Sequence, residues 1–220
     1  MTDIKKFSDR YEAGNLLAEK LIEYVNDEDT VVLALTHGGV PVGIELAKKL
    51  NLFMDVLIIR KLFINKEGGI SIGAIGPEDL YLLNEDVIAY HKVEDELVEQ
   101  LIVKAKKEIG KLEGLYQYNK PYYNIKDKKV ILVDEGAITG ASIKVALELI
   151  MLYSPAEIII ALPIAPLDVC KELKDQVKKL VCLKTPNKVK SLSNWYQDFP
   201  IVSDSEIQNF LDYKPMPLNY

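Results

Sequence analysis

One stretch of the chain, residues 130–142 (VILVDEGAITGAS), constrains the fold more than any other. It begins with four aliphatic residues, a pattern typical of a strand that is buried on both faces of a sheet. Two carboxylates, Asp134 and Glu135, follow directly, and then comes a turn of small and hydroxyl-bearing residues. Behind the turn, apolar residues recur at the spacing of an amphipathic helix. The stretch therefore predicts a strand, a turn and a helix in succession, which is the repeating unit of an α/β fold.

The turn in this stretch has the composition of an anion site. Backbone N–H groups of such a turn and of the helix N-terminus point at one spot, and the helix dipole favours negative charge there. Thr139 and Ser142 supply hydroxyl donors, and Asp134 and Glu135 stand where they can hold sugar hydroxyls or a hydrated divalent cation. A turn without a ligand would need neither group. A phosphate loop of the Walker type is excluded, because the glycine spacing differs and no Lys-Ser or Lys-Thr pair follows.

Other apolar runs and helical patterns alternate along the chain. Buried strands are predicted at residues 31–35, 55–60 and 157–162, a further short strand at residues 180–183, and helices at residues 8–25, 41–50, 86–118, 167–179 and 203–213. Residues 63–84 carry glycines between short apolar pieces, which predicts an extended or hairpin segment. A capping box at residues 203–206 opens the last helix. The alternation predicts an α/β fold with a mostly parallel sheet flanked by helices.

Polar residues follow three of these strands, after residues 35, 60 and 133. They are the turn Thr36, His37, Gly38 and Gly39, the pair Arg60 and Lys61, and the acidic pair already described. In α/β sheets, ligands bind outside the carboxyl ends of the strands, at a switch in strand order. We therefore expect the three positions to converge on one cleft.

Composition narrows the class of protein. The chain has 220 residues, which favours one domain, and its 49% hydrophobic and 27% charged residues are ordinary for a soluble globular protein. The net charge of −6 argues against a nucleic-acid-binding surface. No apolar run is long enough for a bilayer and no N-terminal signal pattern occurs, so we expect a cytoplasmic protein without a membrane partner. Cys170 and Cys182 are predicted to be buried thiols, and two histidines with two isolated cysteines provide no metal cluster.

The apolar strand, the acidic pair and the Thr-Gly-small-Ser turn together resemble the phosphoribosyl-pyrophosphate loop of type I phosphoribosyltransferases. The resemblance extends from about residue 7 to residue 199 and is closest to a little-characterised subgroup of that family. The shared features are the Gly-Gly-Val turn at 38–40, the Arg-Lys pair at 60–61, the Gly-Ala-Ile-Gly segment at 73–76 and the aromatic-Asp-Phe tail at 196–199.

The resemblance implies a single domain over residues 1–220, built from a sheet flanked by helices, with one antiparallel strand and a small hood over the site. By resemblance, residues 70–83 would supply the antiparallel strand. The hood would come from residues 1–25 and 184–220. Dimers are common in the family, so the resemblance also raises a homodimer as a candidate assembly.

The resemblance further implies a reaction. Ribose 5-phosphate would move from phosphoribosyl pyrophosphate to a nitrogen of a base, with release of pyrophosphate and with Mg²⁺ as cofactor. Positive charge develops on the ribose as pyrophosphate leaves, so the leaving group needs cations and donors and the ribose needs orientation. These needs explain why acidic, basic and hydroxyl residues would occur at one site.

By the family's pattern, Asp134 and Glu135 would be the catalytic residues and would hold the ribose hydroxyls or a magnesium-bound water. The turn at residues 36–39 would bind pyrophosphate, Arg60 or Lys61 would add charge to it, and residues 139–142 would cradle the 5′-phosphate. The substrate-binding set is then Thr36, His37, Gly38, Gly39, Arg60, Lys61, Gly136, Ala137, Ile138, Thr139, Gly140, Ala141 and Ser142.

Three positions depart from the family's pattern. His37 stands where the subgroup usually has arginine, and histidine is fully charged only in acid solution. Glu135 replaces the commoner aspartate and has a longer side chain. Ile138 stands where some purine-salvage members carry an aspartate that handles the base nitrogen, which argues against a hypoxanthine or guanine specificity of that type. Adenine-type relatives also lack that aspartate, so its absence is compatible with catalysis.

Other interpretations stay open at this point. The chain could be a sensor or regulator that binds phosphoribosyl pyrophosphate or a nucleotide without turnover, and the departures at His37 and Glu135 favour that alternative. Arg60 and Lys61 could equally form an ordinary charged strand end, and Trp195 and Tyr196 could be a lid over the base or could pack in the core. A serine hydrolase ranks far lower, because the nucleophile-elbow spacing is missing.

Overall fold

The computed structural model describes residues 6–65, 70–116 and 125–211. These residues form two compact units. The first unit contains residues 6–57, 125–140 and 154–211, and the second contains residues 58–65, 70–116 and 141–153. The chain therefore enters the second unit twice, and each unit has a sheet of its own.

The elements are as follows. The strands are β1 (Thr30–Leu35), β2 (Phe53–Leu57), β3 (Arg60–Phe63), β4 (Ser71–Ile75), β5 (Tyr81–Leu83), β6 (Lys129–Val133), β7 (Glu157–Ile164) and β8 (Lys179–Lys184). The α-helices are α1 (Arg10–Glu19), α2 (Gly39–Leu50), α3 (Glu85–His91), α4 (Asp95–Leu115), α5 (Ala141–Leu152), α6 (Leu167–Lys174) and α7 (Asp204–Leu211). Short 3₁₀ helices occur at Ile22–Tyr24 and Leu192–Trp195.

The first unit is built on a five-stranded sheet in the order β2-β1-β6-β7-β8, with every neighbouring pair parallel. All of β1 is buried, as are the last four residues of β6, because helices such as α1 and α2 cover the sheet. The prediction of a parallel sheet flanked by helices is confirmed. The chain leads from β1 to β2 on one side and from β6 to β7 on the other, so the strand order switches between β1 and β6.

The beginning and the end of the chain contact each other within the first unit. Phe7 pairs with Tyr196 in a parallel bridge, and the N–H of Gln197 donates to the carbonyl oxygen of Phe7 at 2.8 Å. The ring of Tyr196 lies 5.4 Å from that of Phe7 and 5.1 Å from that of Phe199, centroid to centroid. Tyr196 is only 2% exposed, so it packs in a core instead of covering a base. These segments belong to the predicted hood, and their role as a hood stays a prediction.

The second unit contains a three-stranded antiparallel sheet in the order β3-β4-β5. Helices α4 and α5 pack against it, and Val145 of α5 lies close to Gly76 at the end of β4. The hairpin predicted within residues 63–84 is confirmed for β4 and β5. Residues 66–69 lie outside the described residues.

The strand predicted at residues 55–60 is wrong at its end. Strand β2 ends at Leu57, and Arg60 already belongs to β3, which pairs with β4 in the second unit. Ile58 and Ile59 lie between the two strands and are 0% and 4% exposed. Because burial continues through the change of partner, the apolar run does not mark where one strand stops.

The helix predicted at residues 86–118 is also wrong, because two helices occupy it. Lys92 adopts a left-handed conformation (φ 50°) and its N–H donates to carbonyls at the end of α3, which stops that helix. A second helix, α4, then begins at Asp95. Residues 117 and 118 lie outside the described residues. Two other helices are shorter than expected, since α1 ends at Glu19 and α6 at Lys174.

Strand β7 continues through Pro163 to Ile164, whereas the sequence predicted an end before the proline. Its pairing with β6 stops at Ala161, so beyond that residue only β8 is a neighbour. A proline is tolerated there because one side of the strand has no neighbour to which it must donate hydrogen bonds.

The capping box of α7 is confirmed: the N–H of Ser203 donates to Glu206 Oε2 at 2.7 Å, and the N–H of Glu206 donates to Ser203 Oγ at 3.3 Å.

The two cysteines and the lengths of the helices complete the description of the fold. Cys170 is buried and Cys182 is half-buried, and both are free thiols. Their side chains share a hydrogen bond, which lowers the pKa of Cys170 and, together with burial, raises that of Cys182. Among the residues described, no helix has the length and apolar character that crossing a membrane requires.

Candidate functional site

The turn after β1 lies directly against the end of β6. A Cβ atom on Gly39 would stand 2.9 Å from the carbonyl oxygen of Val133 and 3.0 Å from Cα of Asp134. Only glycine allows so close an approach of two backbones. The Thr36–His37 peptide bond is cis. Two of the three predicted polar positions, the turn at 36–39 and the acidic pair, therefore meet at the switch in strand order.

Asp134 occupies the first position beyond β6 and is 7% exposed. Its Oδ1 atom accepts the backbone N–H of Glu135 at 2.7 Å, which fixes the orientation of the carboxylate. A buried carboxylate must be compensated by hydrogen bonds, cations or a ligand. Asp134 is thus a fixed acidic group at the carboxyl edge of the sheet.

Glu135 turns its carboxylate towards the neighbouring loop. A Cβ atom on Gly38 would overlap this carboxylate, so the carboxylate lies on the turn at residues 36–39. Arg10, at the start of α1, donates from Nε to Glu135 Oε2 at 2.6 Å. The two side chains are 6% and 17% exposed, so this ion pair is largely withdrawn from water.

Arg10 and Glu135 are held by the tail of the chain. The NH1 atom of Arg10 donates to the carbonyl oxygen of Pro200 at 2.8 Å, and the guanidinium carbon lies 3.7 Å from the ring centroid of Phe199. The hydroxyl of Tyr196 donates to the carbonyl oxygen of Glu135 at 2.6 Å. Burial, and then the charge of Glu135, raise the pKa of that phenol. The tail thereby fixes both the side chain and the backbone around Glu135.

The loop at residues 136–140 follows the acidic pair. Gly136 (φ 146°) and Gly140 (φ 76°) have positive φ values that other residues rarely adopt. The N–H of Ala137 donates to the carbonyl oxygen of Ile164 at 2.9 Å, which ties the loop to the end of β7. The side chain of Ile138 is 40% exposed. The loop therefore combines a fixed backbone with an outward apolar residue.

His37 contacts the last helix. Its Nε2 atom lies 2.9 Å from Oδ1 of Asp204, the first residue of α7, and the two side chains are 24% and 46% exposed. A protonated His37 forms an ion pair there, and a neutral one forms a hydrogen bond. The predicted anion-binding histidine thus has an acidic neighbour that the sequence did not indicate.

Two buried hydroxyls have no hydrogen-bond partner among the residues described: Thr36 Oγ1 and Ser142 Oγ. Such groups are rare in folded proteins, because each loses its bonds to water without replacement. Thr36 belongs to the turn after β1, in the first unit, and Ser142 to the first turn of α5, in the second. Both residues were predicted to bind substrate, and the oxygens of a phosphate-bearing ligand are suitable partners for a hydroxyl.

The remaining predicted residues belong to the second unit. Arg60 and Lys61 begin β3, where Arg60 Nε stands 3.8 Å from Glu108 Oε2 of α4 and Lys61 is exposed. This contact is compatible with the alternative of an ordinary charged strand end. Ala141 and Ser142 form the start of α5, directly after Gly140 in the chain.

Sequence reasoning missed Arg10 and Asp204 as neighbours of the candidate site. It named Tyr196 as a lid over the base or a core residue, but not as a partner of the Glu135 backbone. Arg10 has one usable signal: it is one of two arginines in a chain with 27 basic residues. Arginine offers a planar fork of donors that lysine lacks, so a rare arginine indicates a specific geometry. No comparable signal marks Asp204, which has the pattern of an ordinary acidic residue in the first turn of a helix.

Comparison with known proteins gives a consistent result. The family model described as phosphoribosyl transferase domain matches residues 2–198. Two curated proteins of Mycobacterium tuberculosis, from strains CDC 1551 and H37Rv, are provisionally named phosphoribosyl transferases and are 31% identical over 95% of this chain. The match covers 47% of each, so the chain spans about half the length of these relatives. The crystal structure of TT1426 from Thermus thermophilus is 30% identical, with a TM-score of 0.72, over 94% of this chain and 97% of that one.

Proposed function

The chain belongs to the phosphoribosyl transferase domain family, and on that premise we propose that it moves ribose 5-phosphate from phosphoribosyl pyrophosphate to a nitrogen of a base. The observation that carries the proposal is the meeting of the 36–39 turn with the acidic pair at the ends of β1 and β6. Ligands of α/β proteins bind at such a switch in strand order.

In the proposal, different residues bind different parts of phosphoribosyl pyrophosphate. In the proposal, Asp134 orients the ribose hydroxyls, because it is a buried acceptor whose direction is fixed by the N–H of Glu135. The turn at 36–39 donates to the pyrophosphate, with the hydroxyl of Thr36 as one donor. Residues 139–142 cradle the 5′-phosphate, with the hydroxyl of Ser142 as another. Ligand oxygens would give both buried hydroxyls the partners they lack.

Magnesium fits this set of donors. Mg²⁺ is usually held in proteins by one or two carboxylates together with waters and substrate phosphates, so a cluster of three protein ligands is not required. No such cluster occurs among the described residues. Asp134 is the residue that would hold the ion, through water, and Glu135 is the second candidate. When bound, the ion supplies positive charge to the leaving pyrophosphate.

The reaction breaks the bond between C1 of the ribose and the pyrophosphate oxygen and forms a bond between C1 and a base nitrogen, which supplies the electron pair of the new bond. A proton carried by that nitrogen passes to the departing pyrophosphate or to solvent. Pyrophosphate leaves with the electron pair of the broken bond. The chain contributes donors that are fixed in advance at the turn and an acceptor fixed at Asp134. Prearranged groups of this kind stabilise developing charge without reorganising during the step. The identity of the base is not specified by Ile138, which offers neither donor nor acceptor in its side chain.

A second candidate function is a sensor that binds phosphoribosyl pyrophosphate or a nucleotide without turnover. One observation favours it: two of the three residues that depart from the family's pattern are engaged by other side chains, His37 by Asp204 and Glu135 by Arg10. A sensor would bind the ligand and release no pyrophosphate with any base. A homodimer stays a prediction for either function.

The first test is a calorimetric and thermal-shift titration with phosphoribosyl pyrophosphate, with and without Mg²⁺, at pH 6 and pH 8. A ligand that binds only the folded state adds about 2.7 kcal/mol to the free energy of unfolding at a hundredfold excess over Kd. We expect magnesium-dependent binding, followed by pyrophosphate release with one member of a panel of purine and pyrimidine bases. Absence of binding at both pH values would overturn the proposal, and binding without release would favour the sensor.

A further inference from the structure

We propose that Arg10 is a positioning residue that compensates the charge of Glu135, so that an anion can bind the turn at residues 36–39. The inference rests on the proposed function, because it concerns the turn assigned to pyrophosphate. It assigns a role to a residue outside the loops that carry the other candidate side chains. Three features support it: the position of the Glu135 carboxylate, the contacts of Arg10, and the choice of arginine over lysine.

The first feature is the place of the carboxylate. The Glu135 side chain lies so close to Gly38 that a Cβ atom there would overlap it. A carboxylate therefore borders the turn that would receive the most highly charged part of the ligand. Without compensation it would repel pyrophosphate, and burial would strengthen that repulsion because few water molecules screen it.

The second feature is the environment of Arg10. Its side chain is 6% exposed and makes three directed contacts: to the Glu135 carboxylate, to the carbonyl of Pro200 and to the ring of Phe199. Two of these contacts come from the tail, which keeps the guanidinium in place whether or not a ligand is bound. The positive charge is thus fixed beside Glu135 and cannot follow an arriving anion.

The third feature is the shape of the side chain. An arginine can donate from Nε and NH1 in two directions while its flat face lies on an aromatic ring, whereas a lysine presents one point charge. Arg10 uses all three capacities at once. The length of Glu135 matters equally, since it allows the carboxylate to reach both Arg10 and Gly38. The departure from aspartate at position 135 is then explained by this pair.

The experiment compares Arg10→Met, Glu135→Gln and the double variant with the wild-type chain. Lys129→Met is the matched control, since it removes the 2.8 Å ion pair with Asp27 at the start of β6, the end opposite Asp134. Binding of inorganic pyrophosphate without metal is measured by calorimetry, and the folded state is checked by thermal unfolding. This readout isolates charge at the turn, because neither a base nor turnover is involved.

We expect Arg10→Met to weaken pyrophosphate binding at least tenfold, and the loss to shrink as ionic strength rises. The double variant should bind within threefold of the wild type, because no charge is left to compensate. Lys129→Met should change the affinity less than twofold. A purely structural role for Arg10 would lower the unfolding temperature and leave the affinity of the folded protein unchanged.

Unchanged affinity in folded Arg10→Met, or a double variant as weak as Arg10→Met alone, would overturn the inference while leaving the proposed function intact. If Arg10→Met does not fold, the double variant is compared with Glu135→Gln alone. The two should agree within threefold, and a tenfold difference would contradict the inference. A wild-type chain that binds neither pyrophosphate nor phosphoribosyl pyrophosphate would overturn both proposals.

Discussion

At the scale of single residues, Asp134 is the side chain on which the proposed reaction depends most. Asparagine at this position keeps the shape and can still accept the N–H of Glu135, but it loses the charge. We expect Asp134→Asn to lower kcat/KM for phosphoribosyl pyrophosphate by about a hundredfold, the effect of removing one strong transition-state contact. Pyrophosphate release measures it. Asp29→Asn, at an exposed position before β1, is the control and should leave the rate unchanged. An unaltered rate in Asp134→Asn would remove that residue from the mechanism.

Asp55 carries a prediction about stability and pH. Burial raises the pKa of Asp55, in β2, to about 6. In the unfolded chain an aspartate has a pKa of ~3.9, so the folded state favours the protonated form. Stability from this group is therefore complete below about pH 4 and is lost as the pH rises through about 6.

We expect Asp55→Asn to raise the free energy of unfolding at pH 7 by on the order of 2 kcal/mol, since asparagine avoids the buried charge. The difference from wild type should fade between about pH 6 and pH 4. Chemical denaturation at several pH values measures it. Asp175→Asn, at an exposed position after α6, provides the comparison. A difference that does not depend on pH would contradict the assignment.

A site residue can be predicted from the sequence where a chemically suitable side chain directly follows a recognisable strand or turn. Asp134 follows an apolar run and precedes a glycine turn, so its place at a strand end could be predicted. The ion pair of Glu135 could not, because Arg10 lies 125 residues earlier in the chain and the helix around it has an ordinary amphipathic pattern. Contacts that join distant parts of the chain leave no periodic signal.

At the scale of elements, the loop between β6 and α5 is the most specific feature. Gly140 has a φ of 76°, which a β-branched residue adopts only under strain. We expect Gly140→Val to abolish binding of phosphoribosyl pyrophosphate, because the side chain would fill the loop and shift its N–H groups. Calorimetry on the folded variant measures it. Gly110→Val is the matched control, because a Cβ atom at Gly110 in α4 meets no atom within 4 Å. Normal affinity in Gly140→Val would refute the assignment of this loop.

Elements were predicted more reliably than their ends. The strands at β1, β6 and β7 follow from aliphatic runs, and helix α7 follows from its capping box. The passage from β2 to β3 was missed because Ile58 and Ile59 stay buried while the chain changes sheets. The break at Lys92 was missed because no glycine marks its left-handed conformation. The hydrophobicity of a residue indicates that its side chain is buried, but it does not indicate where the backbone changes direction or pairing partner.

At the scale of the whole molecule, the two sheets should differ in stability. Strands β1 and β6 are hydrogen-bonded on both sides, whereas β3 has four residues, β5 has three, and both lie at the edges of their sheet. We expect backbone amides of β1 and β6 to exchange with solvent at least tenfold more slowly than those of β3 to β5. Hydrogen exchange followed by mass spectrometry or NMR measures it. Equal protection in both sheets would show that they open in a single cooperative step.

The class of the fold could be predicted from the alternation of strand and helix patterns, but the division into two compact units could not. Their borders fall after Leu57, after Gly140 and before Ser154. The second of these borders lies inside the Thr-Gly-Ala-Ser turn, where composition is uniform. Length alone favoured one domain, and no local change in residue type separates segments that are interleaved along the chain.

The pairing of β1 with β6 has a consequence for how the protein is made. Strands that adjoin in the sheet but are remote in the chain can pair only after a long loop closes, and such closure slows folding. During synthesis, β6 emerges long after β1, so the nascent chain holds the 36–39 turn without its acidic counterpart. A ligand that needs both halves cannot guide the early steps of folding. Such a ligand would prolong the lifetime of the protein in the cell only after folding is complete, by slowing the unfolding of the folded chain.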